Sequence, residues 1–207
     1  MAVDFKLYLI TDRKIATKPL PEAVRLALEG GVRAVQLREK GLPVRELLAL
    51  AREIRTITRE FGAKLIVNDR VDVAVAVDAD GVHLGHASMP PEPVRKIVGS
   101  RMLIGVSTHT SEEALAAEAG GADFITFGPV FSTPSKQAYG PPAGIGALRD
   151  VKKLVSIPVF GLGGIRPENI AEVLRTGTDG VAMISAIFAA NDLKKAAEEV
   201  MRGIGTY

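Results

Sequence analysis

The stretch Leu7-Tyr8-Leu9-Ile10-Thr11-Asp12-Arg13-Lys14 decides between two folds. Residues 7–11 form an aliphatic run of strand length, and the chain leaves it through an acid and two bases without a single glycine. An open doubly wound sheet wants a glycine-rich turn after its first strand, where a dinucleotide's pyrophosphate would sit. No such turn is present, which favours the other large parallel architecture, the closed (β/α)8 barrel.

Working outward, seven further runs of strand length follow, at residues 32–37, 64–68, 81–85, 102–107, 123–128, 157–161 and 180–185. Between them lie stretches of helical period. Residues 21–29 place Ala23, Val24, Leu26 and Ala27 together, and residues 44–61 do the same with Leu47, Leu48, Leu50, Ala51 and Ile54. Ser111 reads as an N-cap ahead of Glu112 and Glu113, Pro167 opens another helix, and residues 191–201 form the last. Alternating strand and helix implies a parallel sheet, and eight units allow it to close. The chain is therefore read as one α/β domain over residues 1–207, a single (β/α)8 TIM barrel. Gly144-Ile145-Gly146 resembles the start of a dinucleotide fingerprint. It has no strand immediately before it, and Arg149 stands where the last glycine belongs. The phrases Gly30-Gly31, Gly120-Gly121 and Gly177 mark helix ends ahead of buried strands.

Composition narrows the chemistry. The 207 residues are 47% hydrophobic and 24% charged, which excludes disorder. There is no cysteine, so disulfides, thiolate metal sites and a cysteine nucleophile are excluded together. A net charge of +2 without blocks of like charge gives no case for nucleic acid or a membrane surface as partner. No signal peptide or spanning segment is visible, and the expectation is a soluble cytoplasmic protein.

In a barrel, chemistry belongs at the C-terminal ends of the strands. Those ends carry Gln36, Arg38, Glu39 and Lys40 after the second strand, Asn68, Asp69 and Arg70 after the third, and Gly85 to Ser88 after the fourth. Ser107 and His109 follow the fifth, Thr133, Ser135 and Lys136 the sixth, Gly163 and Gly164 the seventh, and Ile184 and Ser185 the eighth. This rim is cationic, hydroxyl-rich and glycine-rich, as a site for two phosphate groups would be. Backbone N–H groups at Gly163, Gly164 and the helix start after Ser185 can cradle one anion, and Arg38, Lys40 and Lys136 can meet a more highly charged one. Asp69 can hold a hard cation such as Mg²⁺. Plainer roles compete. Arg38 and Lys40 could pair with Glu39 or Glu46, Asp69 could cap the helix beginning at Val71, and Lys136 could be a solvated charge. His83 reads as a satisfied core histidine, whereas His86 and His109, nearer the rim, could do acid–base work.

The ordered set Tyr8 to Asp12, Gln36 to Lys40, Asn68-Asp69-Arg70, Gly81 to Gly85, Gly105-Val106-Ser107, Gly128 to Phe131, Thr133 to Lys136, Gly161 to Ile165 and Ile184-Ser185 resembles the thiamine phosphate synthase and TenI family nearly end to end. The resemblance implies condensation of hydroxymethylpyrimidine diphosphate with a thiazole or carboxythiazole phosphate, releasing pyrophosphate. It implies that Gln36, Arg38, Lys40 and Asn68 meet the pyrimidine diphosphate and that Asp69 binds Mg²⁺. Ser107 would help hold the pyrimidine, with Lys136 on the diphosphate. Thr133, Ser135, Gly164, Ile184 and Ser185 would receive the thiazole phosphate. Arg38, Lys40, Ser107 and Lys136 would then be the catalytic set. The implied partners are phosphorylated small molecules, and a homo-oligomer is compatible with the sequence.

One stretch departs from the pattern. The family carries Gly-Gln-Glu-Asp after the fourth strand, its aspartate a second Mg²⁺ ligand, whereas this chain has Gly85-His86-Ala87-Ser88. A neutral hydroxyl in place of a carboxylate implies weaker Mg²⁺ binding. Asp78 and Asp80 precede that strand, at the wrong end of the barrel to compensate. Two other readings follow from the same resemblance: a TenI-like thiazole tautomerase, although Pro129 stands where those enzymes carry a histidine, and a non-catalytic paralogue that binds thiamine phosphate-like ligands. The length and Gly/Pro content of residues 132–142 suit a lid.

Overall fold

A computed structural model of the chain describes residues 2–133 and 141–205. Eight parallel strands close on themselves in sequence order, β8 pairing back onto β1. They are β1 (Leu7–Ile10), β2 (Ala34–Leu37), β3 (Lys64–Asn68), β4 (Gly81–Leu84), β5 (Leu103–Thr108), β6 (Phe124–Phe127), β7 (Val159–Leu162) and β8 (Gly180–Met183). Outside them run α1 (Leu20–Glu29), α2 (Val44–Glu60), α3 (Val71–Ala76), α4 (Pro91–Val98), α5 (Ser111–Ala119), α6 (Gly144–Leu154) and α7 (Ile170–Leu174). The one-turn α8 (Ser185–Phe188) and the closing α9 (Leu193–Gly205) complete the ring. The expected fold is the observed one, with most strand boundaries moved by one or two residues.

The strands are buried on both faces, so alternation sorts them into two cores. One face packs against the helices: Leu9, Val35, Leu65, Val67, Val82, Ile104, Ile125, Val159 and Val181 meet the apolar sides of helices such as α2, which contributes Leu47, Ala51, Ile54 and Ile57. The other face fills the barrel with Tyr8, Ile10, Ala34, Ile66, Leu103, Phe124, Phe160 and Ala182, and Phe5 plugs the end where the strands begin. Aromatic residues are only 5% of the chain, yet several gather here. Phe5 stacks on Phe160 at 5.1 Å, and Phe124 meets Phe5 edge-on at 5.7 Å. Such offset and edge contacts suit ring quadrupoles and make the lower barrel a solid layer. The barrel interior is therefore filled at the end where the strands begin.

One capping expectation is corrected, and one competing plain role falls away. The N-cap of α5 is Thr110, whose hydroxyl accepts from Glu113 N at 3.2 Å, and Ser111 is the first helical residue. Asp69 does not cap α3; Arg70 holds that position without a side-chain bond. The glycine doublets behave as expected at their second member: Gly31 and Gly121 have φ of 103° and 86°, and Gly177 has 89°. Among the described residues, no helix is long and apolar enough to cross a membrane.

Candidate active site

The rim is assembled strand by strand. Leu37 lies beside Val67 in the β2–β3 ladder, so Arg38 and Asn68 leave neighbouring strands at one level. Glu39, a surface partner of the rim cations in the plainer reading, turns inward instead, with only 2% of its side chain exposed. It accepts from Thr11 Oγ1 at 2.6 Å and from Arg13 N at 3.2 Å, and Arg38 N donates back to Thr11 Oγ1 at 2.9 Å. This knot ties the β1 turn to the β2 turn. Among the described residues, neither Arg38 nor Lys40 forms an ion pair, so their charge is available to an anion. Glu39 and Thr11 were not read as site residues, because a carboxylate between an arginine and a lysine looks in sequence like their counter-ion.

At the next strand end the backbone of Asp69 enters the left-handed region with φ of 59°, a conformation that aspartate tolerates better than most residues. The turn carries its carboxylate back toward β4. Oδ2 accepts from Asn68 Nδ2 at 2.7 Å, and Oδ1 accepts from Gly85 N at 3.4 Å and from the Ser88 hydroxyl. Ser88 Oγ in turn accepts from Gly85 N at 2.6 Å. The departing residue thus lies directly against the one carboxylate expected to hold a cation. Asp78 and Asp80 sit at the far end, paired with Arg59 and Arg55.

Below the rim, a polar chain crosses the barrel. Gln36 Nε2 donates to Tyr8 Oη at 2.9 Å, Tyr8 Oη lies 3.3 Å from His83 Nδ1, and His83 Nε2 lies 2.9 Å from Ser107 Oγ. Because Tyr8 already accepts from Gln36, its own proton is best placed on His83 Nδ1. The imidazole then keeps its proton on Nε2 and donates to Ser107, which leaves the Ser107 O–H free for a ligand. Burial lowers the His83 pKa to about 3, opposed by the Asp69 charge and reinforced by Arg38. Burial likewise raises the Tyr8 phenol well above its usual value, opposed by the Gln36 hydrogen bond. Both groups are neutral at pH 7. The expected core histidine is therefore correct and incomplete: His83 couples two expected ligand-binding residues, Gln36 and Ser107.

On the opposite side, the loops after β6 and β7 interlock. Val130 N donates to Leu162 O and Phe131 N to Gly163 O, at 2.9 and 3.0 Å. A Cβ on Gly128 would fall 1.9 Å from Leu162 O, and one on Gly163 would fall 2.7 Å from Pro129, so only glycine fits this approach. Gly163 and Gly164 have φ of 100° and 66°. Their N–H groups donate to no oxygen among the described residues, which keeps them open to an anion. Ile184 is half-buried and Ser185 exposed at the adjoining end of β8, with α8 beginning at Ser185 itself. Thr133 is half-buried; Ser135, Lys136 and most of the expected lid at 132–142 lie outside the described residues. Of the other histidines, His109 Nδ1–H donates to Gly128 O and its backbone N–H donates to Glu113 Oε2 at 2.6 Å, while His86 is exposed.

Among the described residues the rim thus carries Arg38 and Lys40 without ion pairs, the Asp69 carboxylate against Ser88 and open backbone donors, and comparison with known proteins agrees with what it suggests. A family model described as thiamine monophosphate synthase matches residues 7–187. A relative from Geobacter sulfurreducens is 56% identical over 200 residues, covering 96% of this chain and 94% of the relative. The thiamine-phosphate synthase of Moorella thermoacetica is 47% identical, with 94% and 93% covered. The solved structure of thiamine phosphate pyrophosphorylase from Pyrococcus furiosus superposes with a TM-score of 0.91 at 46% identity, covering 98% of this chain and 96% of that one. With the family model and these relatives matching it over nearly its whole length, this chain belongs to the thiamine monophosphate synthase family.

Proposed function

We propose that this chain is a thiamine phosphate synthase, a transferase that moves a pyrimidinylmethyl group from hydroxymethylpyrimidine diphosphate to a thiazole phosphate. The reaction breaks the bond between the methylene carbon and the diphosphate oxygen, and the electron pair leaves with pyrophosphate. The thiazole nitrogen lone pair then forms the new C–N bond. A cationic carbon needs two things from the protein: stabilised leaving charge and exclusion of water. Arg38 and Lys40, unpaired beside Asn68, face the diphosphate, with Lys136 assigned to it by family resemblance. Gln36 and Ser107 hold the pyrimidine through the chain that joins them inside the barrel. Gly164, Ile184 and Ser185, together with Thr133 and Ser135, are assigned to the thiazole phosphate. The observation that carries the reading is the pairing of unneutralised cations after β2 with the Asp69–Ser88 contact between β3 and β4.

Two oxygen ligands at this point suit a hard cation, the Asp69 carboxylate and the Ser88 hydroxyl, while the Asn68 amide N–H donates to that carboxylate and orients it. Among the described residues no cluster of three acidic or histidine side chains competes for this role. When bound here, Mg²⁺ would neutralise diphosphate charge, and with one carboxylate it would depend on the substrate's own oxygens.

The purified protein should form thiamine phosphate from the two phosphorylated substrates and Mg²⁺, and lose that activity on chelation. Ser88→Asp should lower the Mg²⁺ concentration for half-maximal rate about tenfold, the order of one added charge interaction of ~1.4 kcal/mol at a partly exposed site. No product at saturating Mg²⁺, with both substrates bound, would overturn the assignment. Isomerisation of carboxythiazole phosphate alone would favour the tautomerase.

A further inference from the structure

Thr126 is 1% exposed, and its hydroxyl has no hydrogen-bond partner among the described residues. Along β6 its neighbours Ile125 and Phe127 belong to the helix-facing core and Phe124 to the barrel interior. Alternation therefore aims Thr126 into the barrel, one step above Phe124 and toward the rim. Phe124 marks how deep that is: a Cβ on Gly105, the residue next to Phe124 in the β5–β6 ladder, would strike both its ring and the His83 ring. Thr126 stands beside Ser107 in the same ladder. The two hydroxyls form a pair with opposite circumstances. Ser107 is anchored from behind by His83, whereas Thr126 is anchored by nothing.

A buried hydroxyl without a partner forfeits its hydration and gains no bond in return, a cost that an apolar residue of the same shape avoids. Valine would fill the same volume. Nothing in the fold needs the oxygen: the bond from Thr108 Oγ1 at this point goes to the Thr126 backbone carbonyl, at 3.1 Å. The oxygen therefore has a use only when something else occupies the barrel mouth. A planar nitrogen heterocycle is the chemistry that fits, since its in-plane lone pairs accept hydrogen bonds and the floor beneath is the aromatic layer of Tyr8, Phe124 and Phe160. We propose that Thr126 is a substrate-binding residue whose hydroxyl donates to a ring nitrogen of the pyrimidine, beside the Ser107 contact, and so helps select the heterocycle. The proposal rests on the synthase reading for the identity of that ring.

The test is calorimetric titration of hydroxymethylpyrimidine diphosphate into wild type, Thr126→Val and Thr126→Ser, with thiazole phosphate titrated separately and the ligand-free melting temperature recorded. Thr126→Val should weaken pyrimidine diphosphate binding about tenfold, the worth of one hydrogen bond to a buried group. Thr126→Ser should stay within about twofold of wild type. Thiazole phosphate affinity should be unchanged in both, and ligand-free Thr126→Val should melt no lower than wild type because an orphan hydroxyl has been removed. Unchanged pyrimidine affinity in Thr126→Val, or a lowered melting temperature or failure to fold, would overturn the proposal by showing that the hydroxyl serves a water or the fold. If wild type itself does not bind the pyrimidine diphosphate, the synthase reading falls and takes this inference with it. If wild type binds and Thr126→Val matches it, only this inference falls.

Discussion

His83 lies 2% exposed inside the barrel, with a hydrogen-bond partner on each ring nitrogen, and this makes its protonation a stability matter. The unfolded chain protonates this imidazole near its ordinary value of about 6.5, whereas the folded protein keeps it neutral down to about pH 3. Above pH 6.5 neither state carries the proton, and stability is at its full level. As pH falls from 6.5 toward 3 the unfolded state alone gains it, so stability declines by up to about 1.4 kcal/mol per pH unit. Between pH 7 and pH 5, before most carboxylates titrate, the loss should reach about 2 kcal/mol by urea unfolding. His83→Gln keeps an amide donor and acceptor without a titrating ring, and should show a correspondingly smaller loss over the same window. Equal losses in the two proteins would show that His83 is not the group responsible. Sequence reasoning reached the burial of this histidine and missed its partners, because Gln36, Tyr8 and Ser107 come from three other strands. Thr126 was missed for the same reason: the run Phe124-Ile125-Thr126-Phe127 is apolar enough to be buried on both faces, and nothing local tells which face lines the barrel.

At the scale of elements, one device recurs at the end of the barrel away from the site. Asp80 precedes β4, accepts from Leu65 N in β3 at 2.8 Å and pairs with Arg55 of α2 at 2.6 Å. Asp123 precedes β6, accepts from Ile104 N in β5 at 2.7 Å and pairs with Arg95 of α4 at 2.5 Å. Asp179 precedes β8, accepts from Val159 N in β7 at 2.8 Å and pairs with Lys152 of α6 at 2.7 Å. Each carboxylate thus staples one strand to the previous one and to the helix before it, a pattern with a two-strand period. In sequence these aspartates read only as punctuation ahead of strands, since the cations they meet lie 25, 28 and 27 residues earlier on separate helices. Asp80→Ala would strand the Arg55 guanidinium, 13% exposed, and leave Leu65 N without its acceptor. Chemical denaturation should register about 3 kcal/mol of lost stability, with kcat/KM of the folded enzyme unchanged because the site is at the other rim. A loss under about 0.5 kcal/mol would put the staple in the class of exposed surface pairs.

For the whole molecule, a net charge of +2 says little about how it meets an anionic substrate. Several surface cations are spent locally: Arg25 on Glu60, Arg59 on Asp78, Arg70 on Asp72, Lys96 on Glu92. Arg38 and Lys40 are not, because Glu39 faces inward to hold Thr11 and Arg13. The fold itself was legible because strand and helix alternate with little inserted between them. The rim was legible because the barrel rule selects strand ends before any chemistry is weighed. What stayed hidden was which charges remain unspent, since that depends on side-chain direction and not on position. The consequence is measurable as a separation of two salt effects. Raising ionic strength from 0.1 M to 1 M shortens the screening length from about 10 Å to about 3 Å. Capture of the diphosphate by unneutralised rim cations should weaken, with KM for the pyrimidine diphosphate rising about three- to tenfold, whereas the folding midpoint should hardly move because most of the pairs are exposed and contribute little. Arg38→Gln should raise KM at low salt and flatten its salt dependence, since part of the screened attraction is already gone. A wild-type KM indifferent to salt, or an Arg38→Gln enzyme as salt-sensitive as wild type, would place the substrate's charge elsewhere on the barrel.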